Sequence, residues 1–175
     1  LGLLRYRSHT GCTWDDVAAL LRGQMTVIVR VVDAYTTASD LGNELITSPF
    51  YHPILPLLAA RGYEADALGQ MEQAQAQHAE LLGARATGVW SPEQAVSDGS
   101  LALLAQAGFR WTSADEGILA QALGHTPTLA ELTQIYESQG MNVFFRETGV
   151  SNDISFAYGN KGTDVAVADF LAKLR

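Results

Sequence analysis

The sequence predicts an α/β protein built on a parallel sheet of βα units. Three observations carry this: short apolar runs bounded by Gly and Pro, amphipathic stretches of helical period between them, and an acid set just past several strand ends. Strands that alternate with crossover helices imply parallel pairing and right-handed βαβ connections. Only four strands are visible, and a closed barrel of seven or eight needs more.

The elements follow in order. Thr13 to Ala38 has helical periodicity: Thr13 caps, Asp15 and Asp16 favour the positive end, and Val17, Leu20, Leu21, Met25, Ile28, Val32 and Tyr35 form one stripe, as in a long packing helix. Gly42-Asn43 punctuates, and Glu44 to Ser48 reads as a short strand. Pro49 cannot continue a central strand, so Phe50, Tyr51 and His52 fall in the loop beyond it, and Pro53 to Leu58 opens a helical turn. Tyr63 to Leu82, rich in Ala, Gln and Glu, predicts a second helix ended by Gly83. Thr87 to Trp90 is the next strand and Pro92 to Ala107 the next helix, closed by Gly108. Phe109 to Ala114 is a strand delivering Asp115-Glu116-Gly117. Leu129 to Ser138 is helical, Asn142 to Arg146 is the last strand, and Val165 to Leu174 the terminal helix.

Composition excludes several functions. With 175 residues, 47% of them hydrophobic, the chain can build one core, and residues 1–175 are expected to be a single domain. A net charge of −8 with eleven scattered Lys and Arg argues against nucleic acid. No run approaches the ~18 apolar residues of a membrane span, and no signal peptide is legible, so a soluble, cytoplasmic protein is expected. The single cysteine, Cys12, has no thiol partner, and His9, His52, His78 and His125 are isolated, so neither a metal nor a cofactor is expected. The abrupt start at Leu1 reads as a segment cut from a longer chain.

In parallel α/β sheets the carboxyl ends of the strands share one rim. Here the rim collects Thr47 to His52, Trp90 to Glu93, Asp115 with Glu116, and Arg146 with Glu147: acids, a His, an Arg and aromatics, which suit a polyhydroxylated ligand. Structural roles remain open beside that one. Trp90 can pack inward, His52 can satisfy a turn, and Glu93 can be a favourable first-turn charge worth ~0.3–1 kcal/mol.

Glu44 to Leu58 resembles the "TPxYHPILPLL" signature of glycoside hydrolase family 57, the α-amylase and 4-α-glucanotransferase family. Gly88-Val89-Trp90-Ser91-Pro92-Glu93 with Ala95-Val96-Ser97 is similar to its "GxWxPE…VS" block, and Thr112 to Leu119 to "ATDEGVL". Phe144-Phe145-Arg146 with Ser151, Ile154, Phe156 and Tyr158 resembles "FFRDxxLSDxIGFxY". The four blocks stand in order between residues 44 and 158. The resemblance implies part of a (β/α)7-type barrel acting on α-linked glucans by a retaining mechanism. It makes Glu93 the nucleophile and lines the pocket with Glu44, His52, Trp90, Asp115 and Arg146. A retaining enzyme pairs its nucleophile with an acid/base carboxyl ~5–5.5 Å away.

Departures shape the expectation. No counterpart of the family's "HQP" block precedes Gly42, and no "DGENAWE"-like block with the acid/base Asp follows "FFRE". Glu147, Asn152 and Ser155 stand where the last block has Asp, Asp and Gly. These residues are therefore expected to carry the nucleophile without the acid/base and to cleave little glucan alone. Two other readings compete: a non-catalytic carbohydrate-binding module and a metal-dependent polysaccharide deacetylase-like protein. An open barrel segment also predicts either a homodimer covering the exposed edge or a self-contained open sheet.

Overall fold

Local signals in the sequence set most helix boundaries. Thr13 and Asp16 cap each other's backbone, with the Thr13 N–H donating to Asp16 at 2.9 Å, and start α1 (Trp14–Asp40). Pro56 sits in the first turn of α2 (Leu55–Ala59), and left-handed Gly83 ends α3 (Glu64–Leu82). The computed structural model describes residue 11 and residues 13–174. The readings on His9 and Cys12 lie outside the described residues.

The remaining elements are β1 (Gly88–Trp90), α4 (Asp98–Gln106), β2 (Trp111–Asp115), α5 (Glu116–Leu123), α6 (Leu129–Leu132), β3 (Tyr136–Ser138), β4 (Met141–Arg146), α7 (Thr148–Asn152) and α8 (Thr163–Lys173). The four strands form one sheet in the order β1-β2-β4-β3. β1 pairs parallel with β2 and β2 with β4, whereas β3 runs antiparallel to β4. The described residues thus make an open mixed sheet with more helix than strand, and no closed barrel is formed among them.

Four expectations are corrected. Glu44 to Ser48 is no strand: it joins the sheet at Thr47 alone, whose carbonyl accepts from the Trp90 N–H at 2.7 Å. Proline at 49 stops the ladder at once. The helix expected over Leu129–Ser138 ends at Leu132, and Tyr136–Ser138 becomes β3. Gln139 and Gly140, with φ of 53° and 77°, supply the two successive left-handed residues of a tight hairpin turn. The helix expected from Pro92 begins only at Asp98, capped by Ser97 and Ser100, because Pro92–Gln94 forms a separate 3₁₀ turn. Finally α1 packs far less than its stripe suggests: it buries no residue, and Trp14 is 88% exposed. Among the described residues it rests chiefly on α3, which covers too little of it.

The two faces of the sheet differ. Val89, Thr112, Ala114, Met141 and Val143 are buried against helices together with Leu55, Met71 and Leu104. Each fully buried large apolar side chain contributes about 1.5–3 kcal/mol. The alternate positions carry Trp90, Trp111, Ser113, Asp115, Phe144 and Arg146 on the other face, where Trp90 and Phe144 stay 39% and 40% exposed. Trp111 and Phe144 meet edge to face there at 5.6 Å. Gly88 has to be glycine, because a Cβ at that position would lie 2.3 Å from the Trp111 indole.

Candidate active site at the strand exits

The parallel register sets the rim. Trp90, Ser113 and Phe144 are level, and Asp115 is level with Arg146 one step further on. Asp115 leaves β2 as the cap of α5, accepting from the Gly117 N–H at 2.9 Å. Its other oxygen accepts from Arg146 Nε at 3.0 Å, Arg146 Nη2 at 2.8 Å and the Thr148 hydroxyl at 3.1 Å. Arg146 Nη1 donates in turn to Ser151 Oγ at 3.3 Å. Burial pushes the Asp115 carboxyl up, but the Gly117 N–H, the Arg146 guanidinium and the Thr148 hydroxyl outweigh it and hold the group below its usual value. Beside this pair opens a cleft of about 880 Å³, lined by Arg146, Glu147, Val150, Ile154 and Lys173 among others.

Glu93 follows β1. After Trp90 the chain buries Ser91 and Pro92, exposes Glu93, then buries Gln94 and Val96. The Thr112 hydroxyl donates to the Val89 carbonyl at 2.8 Å, so its one proton is spent and Ser91 Oγ, 3.0 Å away, donates to it. This chain of buried hydroxyls ties the β1 exit to β2. Beyond it Glu93 (φ 56°, ψ 17°) and Gln94 (φ 52°) are both left-handed, unusual for successive residues with side chains. The Gln94 N–H donates to the Ser91 carbonyl at 2.8 Å and the Ala95 N–H to that of Pro92 at 3.1 Å. Among the described residues the Glu93 carboxylate has no hydrogen-bond partner. It is free to meet a ligand.

Of the other expected site residues, Trp90 ends β1 at its exit, whereas Glu44 lies away from both exits. His52 is exposed in the loop beyond Thr47, left-handed at φ 57°, with Nδ1 hydrogen-bonded to Ser48 Oγ at 3.0 Å. Trp90 sits on the same face of the sheet as Asp115 and Arg146 and is partly exposed. Glu44 lies at the opposite, amino end of the strands, where it accepts from the Trp111 indole N–H at 2.9 Å and from the Thr87 hydroxyl. Those two donors, Thr87 first, lower its pKa. The Ser91–Thr112 link, buried Gln94 and the Thr148 and Ser151 contacts to the rim went unread in the sequence. Only the Ser-Pro pair gave a local signal for any of them.

The sheet is parallel through β1, β2 and β4 and carries acids past its strand exits, and solved structures share the fold. The α-amylase AmyC from Thermotoga maritima matches with a TM-score of 0.62 at 15% identity, over 87% of this chain and 30% of its own. The 4-α-glucanotransferase from Thermococcus litoralis matches at 0.61 and 23% identity, over 79% and 22%. A branching enzyme from Thermococcus kodakaraensis, solved with glucose, matches at 0.60 and 17% identity, over 82% and 30%. At these identities the likeness is one of fold, and the chain spans less than a third of each of these proteins. Curated protein sequences contain no match. The sequence profile of Glycosyl hydrolase family 57 covers residues 35–175, and the chain belongs to that family. Among the described residues no helix is long and apolar enough to cross a membrane, and no group of three or more His, Cys, Asp or Glu could hold a metal.

Proposed function

We propose that this chain acts on α-linked glucans by the retaining two-carboxylate mechanism, with Glu93 as the nucleophile and the acid/base supplied from outside these 175 residues. The observation that carries the reading is the exit of β1: between Ser91 and Val96 only Glu93 is exposed, on a turn anchored at both sides. Family membership and the names of the matching structures, an amylase, a glucanotransferase and a branching enzyme, support the substrate class.

In this reading a Glu93 carboxylate oxygen attacks the anomeric carbon while a second carboxyl protonates the departing glycosidic oxygen. Asp115 is poorly suited to that second role, because its partners hold it ionised and an acid must carry a proton. It serves with Arg146 as a wall of the rim instead, and His52 and Trp90 flank the same site.

A substrate that needs no acid separates the two halves. With α-maltosyl fluoride, Glu93 forms an ester to C1 as the C–F bond breaks and fluoride leaves with the electron pair. The expected result is a covalent maltosyl adduct on Glu93 by peptide mass spectrometry, absent in Glu93→Gln, and no reducing sugar from maltooligosaccharides. Binding of maltooligosaccharide without the adduct would instead leave a carbohydrate-binding module. Release of reducing sugar that depends on Glu93 would show that the acid/base is already present.

A further inference from the structure

We infer that Gln94 is a positioning residue whose buried side chain holds the turn that presents Glu93, an inference that rests on Glu93 being the nucleophile. Two unfavourable features coincide in this dipeptide. Glu93 and Gln94 take φ of 56° and 52°, where glycine would sit without a steric penalty. Gln94 is only 5% exposed, and its Oε1 is buried with no donor among the described residues. A sequence selected for stability alone would place a glycine here, so a buried side chain on left-handed backbone points to the site.

The surroundings show what they accomplish. The turn packs against β2, and Ser91 is pinned to Thr112 beneath it. Downstream, Val96 is buried and Ser97 caps α4. The turn is therefore fixed at both ends, and within it the inward Gln94 side chain forces its neighbour outward. Without that wedge, Glu93 can leave the left-handed region and its carboxylate moves from the exit.

Labelling by α-maltosyl fluoride, followed by intact mass against concentration, tests this on the 175-residue protein. Gln94→Gly accepts the left-handed φ but removes the wedge, and a cooperative thermal transition checks that it folds. Its saturating rate constant should fall by roughly 10- to 100-fold with the half-saturating concentration unchanged, as expected when a reacting group is misplaced. Gln94→Met keeps the bulk and loses the unpaired carbonyl, so it should label at the wild-type rate and melt no lower. A wild-type rate constant in Gln94→Gly, or a loss confined to half-saturation, would overturn the inference while the nucleophile assignment stands. An unlabelled wild type would overturn that assignment and the positioning role with it. Independently, Glu93→Gly should raise Tm because the strain released exceeds the entropy that glycine adds to the unfolded chain, and an unchanged or lowered Tm would show that the strain held there is no larger than that entropy.

Discussion

Glu93 and Asp115 leave neighbouring parallel strands, yet one is exposed without a hydrogen-bond partner and the other is enclosed by donors. Asp115 is half-buried between Arg146, Thr148 and the Gly117 N–H, so every direction from which a ligand could approach its oxygens is partly taken. Glu93 stands on strained backbone held by groups beneath it rather than around it. The contrast teaches that position at a strand exit does not define a reacting group. A carboxylate enclosed by donors is a strut, and one held from below with its oxygens free can meet substrate.

The comparison can be broken by removing either carboxylate. Asp115→Ala should destabilise the fold by about 2 kcal/mol, because Arg146 would be left half-buried without its counter-charge. Chemical denaturation checks this, and a loss under ~0.5 kcal/mol, ordinary for a surface site, would mean that Asp115 is no strut. Acid provides the next largest effect. The folded pKa of Asp115 lies below the unfolded value of about 3.9, so its contribution is complete above that pH and is lost as pH falls through the folded pKa. Tm of the wild type should therefore drop more steeply below about pH 4 than that of Asp115→Asn. Glu44, lowered by Thr87 and Trp111, adds to the same slope, and Glu44→Gln should remove its share. The smallest effect is expected at the other exit: Glu93→Gln should change stability by no more than ~0.5 kcal/mol while abolishing the maltosyl ester. A large stability loss there would erase the distinction between the two acids.

Much of the framework was legible because it depends on short-range signals. Thr13 and Gly83 mark helix ends by chemistry within four residues of themselves, whereas the Ser97 cap of α4 was masked by Pro92 upstream, and the parallel β1-β2-β4 core follows from strands separated by helices. The antiparallel β3 was hidden because Ile135-Tyr136-Glu137-Ser138 is too short for its period to be read, and its strand character depends on β4 being beside it. The stripe on α1 predicted packing, but periodicity shows which side of a helix is apolar and not what lies against it. In the site, the acids and aromatics of the rim were named from their places after strands. Their partners were not: Asp115 and Arg146 are thirty-one residues apart, Glu44 and Trp111 sixty-seven, and only the folding of the chain joins them.

From the sequence came the family, the β1-α4-β2-α5 succession, and Glu93 as the acid that follows β1, since each rests on residues adjacent in the chain. The tertiary structure alone decided which carboxylate is paired, which end of the sheet Glu44 occupies, and how Glu93 is presented. Those depend on strand register, on the Ser91–Thr112 link and on the burial of Gln94, and these arise only when distant parts of the chain compete for the same space and the same hydrogen-bond donors.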